Sequence, residues 1–245
     1  MTTELAAGAL ILASPYPASN PPNPPDLLWA PLGGRPLLAW SVAACEATRT
    51  IVEIALLVPA ERVADTLAVA ESEGWTRLRI IIRILASASG MRESVEAGLR
   101  ALEPGLDRVV IHEAARPLAT PALLAAALDL ARQTGDDVIT GEPVKETVKR
   151  LRDGLVVETL PRERMARAQT PYVFQRNRML AAHASLPPQY DYPDVARLAL
   201  AAGLPLRINP GTPDNLRVTS TADLAVAEKL LRARGMSGSA GKTPR

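Results

Sequence analysis

DRVVIHEAARPLATPALLAAALDLARQTGDDVITGEPV, residues 107–144, carries three local readings in succession. DRVVIH (107–112) is an apolar run of strand length, PALLAAALDLARQ (121–133) is helical, and DDVITGEPV (136–144) opens another strand. Strand, helix, strand at this spacing is a βαβ unit, because parallel neighbours need a crossover long enough to carry the chain back. The alternation extends upstream. GALILA (8–13) reads as the first strand and RPLLAWSVAACEA (35–47) as a helix. IVEIALLVP (51–59) is a strand, 60–73 a helix, LRIIIRIL (78–85) a strand and RESVEAGLRAL (92–102) a helix. Downstream, LRIN (206–209) is a strand between helices near 192–202 and 220–234, the last capped by Thr219 or Ser220. The expected fold is α/β, a mostly parallel sheet with helices on both faces. Ligands of such sheets bind at the carboxyl ends of the strands.

Composition agrees. The chain has 245 residues, 47% of them apolar but only 3% aromatic, so Ala, Leu and Val must fill the core. One domain over 1–234 is expected, with the small polar stretch 235–245 as a disordered tail. A net charge of +2 gives no electrostatic reason to expect nucleic acid. The single cysteine, Cys45, allows no internal disulfide and sits in WSVAAC as a buried thiol. No charge-free apolar run reaches 18 residues, so no membrane span is expected. With no basic secretory n-region at the start, the expected location is cytoplasmic. His112 reads as a strand-end core histidine and His183 as a surface one. CxxC, HExxH, GxSxG, GxGxxG and Walker-type patterns are absent.

VKETVKRLRDGLVVETL (144–160) breaks the rhythm. Asp153-Gly154 between β-type residues is a hairpin signal, and its polar, basic strands predict an arm, about 143–168, that leaves the core. From Lys145 to Arg167 there are seven basic and four acidic residues. The arm is either a solvated face or a device that binds a phosphate or a second subunit.

Several segments together resemble the 2-C-methyl-D-erythritol 4-phosphate cytidylyltransferase family. They are PLGGRPLLAWSV (31–42), RESVEAGL (92–99), VVIHEAARP (109–117), PVKETVKR (143–150), QTPYVF (169–174) and DNLRVTSTADLAVAE (214–228). The resemblance implies a Rossmann-like nucleotidyltransferase fold with a protruding β-hairpin dimerisation arm. It also implies a reaction, in which CTP and methylerythritol 4-phosphate give CDP-methylerythritol and pyrophosphate, with Mg²⁺, in isoprenoid precursor synthesis. Matching motif positions implies roles for seven residues. Arg116 lies near the substrate, while Thr147 and Arg162 on the arm reach the pocket of a neighbouring subunit in a homodimer. Glu113 stands at the Mg²⁺-binding aspartate position and Arg217 at a catalytic lysine position. Ser94 and Arg92 lie on the nucleotide side. Plainer roles stand beside these. Arg116 can bond loop carbonyls, Glu113 can cap a loop, and Ser94 can be an ordinary helix residue.

One interval departs from the family. After its first strand the family has a glycine-rich loop with an arginine, then a Pro-Lys pair. Here Ser14–Pro25 holds six prolines in twelve residues and no glycine, Leu27 falls at the lysine position, and no Lys or Arg precedes Arg35. Proline lacks an N–H, so this loop cannot cradle a triphosphate with backbone donors. Another departure is at 87–91, where Met91 replaces an arginine and Arg92 is one residue on. Two chemistries follow as expectations. One is a cytidylyltransferase of weak activity that recruits Arg35, Arg92 and Arg217. The other is a catalytically inactive homologue that serves as a binding or regulatory module. A transferase for another nucleotide or sugar phosphate has no positive support in the sequence.

Overall fold

The computed structural model describes residues 6–13, 27–75, 80–88, 90–187 and 194–236. The proline-rich interval 14–25 and nearly all of the tail 235–245 lie outside the described residues. The first half of the chain gives β1 (Ala7–Leu12), a 3₁₀ turn at Leu27–Trp29, a small hairpin of β2 (Pro31–Leu32) and β3 (Arg35–Pro36), α1 (Leu37–Ala47), β4 (Ile51–Val58), α2 (Val63–Ser72), β5 (Ile81–Ala86), α3 (Met91–Ala101) and β6 (Arg108–Glu113). The second half gives α4 (Pro121–Thr134), β7 (Asp137–Pro143), β8 (Val148–Arg152), β9 (Leu155–Leu160), β10 (Ala166–Gln175), α5 (Arg176–Ser185), α6 (Val195–Ala201), β11 (Leu206–Pro210) and α7 (Thr221–Ala233).

Among the described residues, seven strands make one sheet in the order β11-β7-β10-β6-β1-β4-β5. β1 pairs parallel with β4 and β6, β4 with β5, and β11 with β7. β10 runs antiparallel to both β6 and β7, so it alone opposes the common direction. All six residues of β1 are buried. Side chains alternate across a strand, so Ala7, Ala9 and Ile11 join one core cluster with Leu38 of α1, Leu124 of α4 and Leu231 of α7. Leu10 and Leu12 join another with Leu99 of α3, Met179 of α5 and Leu198 of α6. A strand covered on both faces must be apolar throughout, which is why GALILA is unbroken by polar residues. Gly98 lets α3 close on the sheet, because a Cβ there would meet Leu57 Cδ1 at 2.9 Å.

The local signals explain the element ends. Thr120 caps α4 by accepting a hydrogen bond from the Leu123 N–H, Pro121 occupies the first turn, and Gly135 closes the helix. Ser220 caps α7 by accepting from the Asp223 N–H. The arm forms as expected: β8 and β9 pair antiparallel and make their own two-stranded sheet. Asp153 and Gly154 have φ of 51° and 81°, the two left-handed residues of a type I′ turn. The arm leaves the main sheet after Pro143 and re-enters at Ala166, opposite Pro143. It leaves Leu151, Leu155, Val156 and Val157 exposed.

One expectation is overturned outright. His183 does not lie on the surface; it is 2% exposed, because α5 packs against both α3 and α6. Cys45 is buried as expected, and burial pushes its thiol up to about 12.

Candidate active site

From β1 the chain winds outward to β4 and β5, then returns to the other flank of β1 as β6. Open α/β sheets bind ligands at such a switch point, beyond the carboxyl ends of the strands. Leu12 and Glu113, the last residues of β1 and β6, are in register there. The Glu113 carboxylate holds two arginines. Arg116 Nε donates to Oε2 at 2.7 Å, and Arg217 Nε stands 3.1 Å from Oε1. Burial works to raise the Glu113 carboxyl. The positive charges of Arg116 and then Arg217 outweigh it and hold the group below its usual range, so it is ionised. Arg116 is itself buried and extends its fork further, donating to the Asn215 carbonyl at 2.9 Å and the Ala168 carbonyl at 3.5 Å. The plainer role of Arg116 as a holder of loop carbonyls is thus real as well.

Behind the carboxylate lies a lock on the 113–116 turn. The Glu113 N–H donates to Thr170 Oγ1 at 3.0 Å. The hydroxyl proton is then directed to His112 Nδ1, also at 3.0 Å. Nδ1 is therefore the bare nitrogen, and Nε2 carries the proton that faces the Arg116 carbonyl at 3.3 Å. Burial first, and the Arg116 charge second, push His112 down to about 4, so it is neutral at physiological pH. Unfolded, a histidine of ordinary pKa 6.5 takes up a proton that the folded one refuses until about 4. Stability is therefore full above about pH 6.5 and falls as the pH drops toward 4, by on the order of 3 kcal/mol across the window. Denaturant melts at pH 7.5 and 5.0 should show about 2 kcal/mol of this loss from His112, and His112→Asn should remove that share of the pH dependence. His183, also pushed down to about 4 by burial, acts equally in both proteins, so equal slopes would overturn the assignment.

Around the two arginines the structure forms a cavity of about 190 Å³. Among the described residues it is lined by Arg116, Arg167, Gln169, Asn215 and Arg217, with no carboxylate in the lining. Asn215 is 1% exposed; its Nδ2 donates to Gln169 Oε1 at 3.2 Å and to the Thr170 carbonyl at 2.8 Å. Sequence reasoning missed Arg167, Gln169 and Asn215 as site residues. The signal for the first two was present: Arg167 and Gln169 are two apart on β10, hence on one face of the strand.

The other expected site residues lie elsewhere. Ser94 is fully buried and donates to the Gly90 carbonyl at 2.7 Å, holding the start of α3. Arg92 does not stand free to face a nucleotide. It donates to the carbonyls of His183 (2.6 Å), Leu186 (2.9 Å) and Pro187, which close the end of α5. Arg35 is likewise engaged, with Nε donating to Glu73 at 2.8 Å and the guanidinium 5.1 Å from the Trp40 ring centre. Thr147 is exposed at the start of the arm. Arg162 Nη1 donates to the Lys145 carbonyl at 2.6 Å and ties the base of the arm together. Of the three cations expected to make good the lost loop, Arg217 alone lines the cavity. Leu27, at the family's lysine position, is 5% exposed and joins the same core cluster as Leu32 and Leu37.

A mostly parallel sheet, a switch-point crevice and a cation-lined cavity define an α/β fold of the nucleotidyltransferase class. The comparisons specify it further. The family described as 2-C-methyl-D-erythritol 4-phosphate cytidylyltransferase (IspD) matches residues 24–233. An enzyme of that name from Synechococcus elongatus is 35% identical over 215 residues, spanning 84% of this chain and 88% of the relative. One from Cereibacter sphaeroides is 36% identical over 205 residues, spanning 83% and 87%. The 4-diphosphocytidyl-2C-methyl-D-erythritol synthase of Anaerococcus prevotii shares the fold with TM-score 0.79 at 22% identity, over 93% of this chain and 99% of that one. The cytidylyltransferase structure from Thermus thermophilus gives TM-score 0.70 at 27% identity, over 93% and 99%. The chain belongs to the 2-C-methyl-D-erythritol 4-phosphate cytidylyltransferase family.

Proposed function

We propose that the protein transfers a cytidylyl group from CTP to 2-C-methyl-D-erythritol 4-phosphate and releases pyrophosphate. A phosphate oxygen of the acceptor attacks the α-phosphorus of CTP, a new P–O bond forms, and the bond to the β-phosphate oxygen breaks. The observation that carries this reading is the convergence of Glu113, Arg116 and Arg217 at the carboxyl end of β6. Phosphoryl chemistry asks the protein mainly for position and positive charge. Arg116, pinned by three partners, is pre-set to orient an anionic oxygen. Arg217 contributes a second charge beside it. Ser94 and Arg92 serve the nucleotide side through the segments they hold in place rather than by free charge. Thr147 and Arg162 act from the arm on a second copy, with the exposed Leu155, Val156 and Val157 as the apolar part of a homodimer contact.

The residues fit Mg²⁺ in one limited way. Among the described residues no group of three His, Cys, Asp or Glu gathers, so no all-protein cage exists. Mg²⁺ is commonly held by one or two carboxylates plus substrate phosphates; Glu113, with Arg116 on Oε2 and Arg217 beside Oε1, would hold it together with ligand oxygens only by giving up one of these arginines. The metal would supply charge neutralisation on those phosphates.

Turnover below that of relatives with an intact loop is part of the proposal, because Leu27 is an apolar core residue and Ser14–Pro25 brings no cation. Two missing cations and a missing amide cradle amount to a rate loss on the order of 10⁴. Among the described residues no helix is long and apolar enough to cross a membrane, and a CTP-dependent reaction goes with a cytoplasmic location. The test is pyrophosphate release from CTP and Mg²⁺ with and without methylerythritol 4-phosphate. Slow, acceptor-dependent release is expected, and Val156→Asp in the arm should reduce both this release and the dimer mass by light scattering. No release above the enzyme-free background with acceptor present would sink the transferase reading in favour of a binding module, and equal release with and without acceptor would sink it in favour of CTP hydrolysis.

A further inference from the structure

Three guanidinium groups line the cavity, but they are not equally available. Arg116 commits donors to Glu113, Asn215 and Ala168, and Arg217 is drawn to Glu113. Arg167 has one partner among the described residues, Glu142, whose Oε2 accepts from its Nη2 at 2.6 Å. The two face each other directly across β10 and β7. The pair is lopsided. The Arg167 side chain is 67% exposed, whereas Glu142 is 5% exposed and accepts a further bond from Gln169 Nε2 at 3.2 Å. A buried carboxylate thus holds one corner of the fork, and the remaining N–H groups of Arg167 stay open to the cavity. Gln169, anchored by Asn215 and by its own bond to the Thr212 carbonyl at 3.0 Å, fixes the neighbouring position on the same strand face.

We propose that Arg167 is a third anion-binding residue of this pocket, which takes a phosphoryl oxygen of the ligand while Glu142 keeps it within reach. The inference rests on the pocket being a phosphate site, as proposed above. It also answers a shortage: no Lys or Arg precedes Arg35, and Arg35 and Arg92 are engaged elsewhere. An exposed cation on β10 is suited to replace part of that charge, because guanidinium offers parallel donors to two phosphate oxygens. The oxygen belongs either to the acceptor phosphate or to the triphosphate, and the kinetics separate these.

The experiment uses the full chain and the variants Arg167→Ala and Arg167→Lys. Steady-state pyrophosphate release gives KM for each substrate, and calorimetry gives the affinity for inorganic pyrophosphate. Arg167→Ala should raise KM about tenfold or more for one substrate, with kcat within about threefold; the melting temperature should fall as well, because the buried Glu142 is left with Gln169 and the Lys145 ammonium at 3.8 Å. Lys should recover part of the loss. A rise confined to methylerythritol 4-phosphate assigns the acceptor phosphate, and one confined to CTP assigns the triphosphate. If Arg167→Ala leaves pyrophosphate affinity and both KM values unchanged, or if the wild-type chain binds no pyrophosphate, the proposal is overturned and the pair is a plain cross-strand bridge. If the wild type binds pyrophosphate in an Arg167-dependent way yet shows no transfer, the transferase reading falls and this role stands.

Discussion

Replacing Arg116 by Ala should lower kcat/KM for acceptor-dependent pyrophosphate release by on the order of 10²–10³, the cost of one preorganised electrostatic group. The side chain is buried at the switch point and bridges Glu113, the Asn215 carbonyl and the Ala168 carbonyl. Its removal unties the strand end of β6 from the 213–217 segment and leaves Glu113 with Arg217 alone. A stability loss on the order of 3 kcal/mol should accompany the rate loss, because a buried charged partner disappears. Arg116→Lys keeps the charge but offers a single ammonium where a planar fork reached three acceptors, so it should recover about tenfold at most. Progress curves of pyrophosphate release together with denaturant melts read both quantities. An Arg116→Ala protein turning over within threefold of wild type would show that the cavity is not where the reaction occurs.

Leu27→Lys, which restores the residue type the family carries there, should not restore rate. It should cost about 3 kcal/mol of stability. Leu27 belongs to the 3₁₀ turn whose Trp29 Nε1 donates to Thr66 Oγ1 at 3.2 Å, with the Arg62 guanidinium 4.3 Å from the Trp29 ring centre. These contacts fix the turn to α2 and point Leu27 and Leu28 into the core. A lysine there forfeits about 2–3 kcal/mol of apolar burial, and its ammonium must find water along its own stem. For a chain of this size the loss corresponds to a melting temperature lower by roughly 6–12 °C. Leu27→Met, which conserves volume, should stay within about 1.5 kcal/mol of wild type. A tenfold gain in pyrophosphate release from Leu27→Lys at unchanged stability would show instead that this position faces the ligand, and the reading of a weakened triphosphate site would fail with it.

The parallel part of the fold was legible because its signals are local. Apolar runs of strand length, helical stretches between them and the Asp153-Gly154 turn each declare themselves within a few residues. β10 and α5 were not read as elements. QTPYVF carries a proline inside the strand, and α5 begins at Arg176 after Gln175, which gives it no side-chain cap. Missing α5 also misplaced His183, whose burial depends on α3 and α6 closing over it. The charged centre of the site was legible through motif positions, since HEAARP and DNLRVT name Glu113, Arg116 and Arg217. Their meeting was not, because Arg116 and Asn215 are 99 residues apart in sequence. Nor could the sequence tell that Arg35 and Arg92 are taken up by a carboxylate and by helix-end carbonyls, or that the strand carrying Arg167 would turn its face to the cavity. Those facts depend on long-range packing, which no short window contains.

β10 enters the sheet from the arm and against the grain of its neighbours. Its first residues, Ala166 to Gln169, are laddered to β7, whereas Tyr172 and Val173 are laddered to β6 and β7 alike. A single strand therefore spans two grades of protection against opening, loose at the exposed Ala166, Arg167 and Ala168 and tight where Val173 and Phe174 are sealed in the interior. Amide exchange should run down this one strand as a gradient. The ligand end can breathe with the arm while the interior end holds the sheet closed, so the pocket gains local give without loosening the fold.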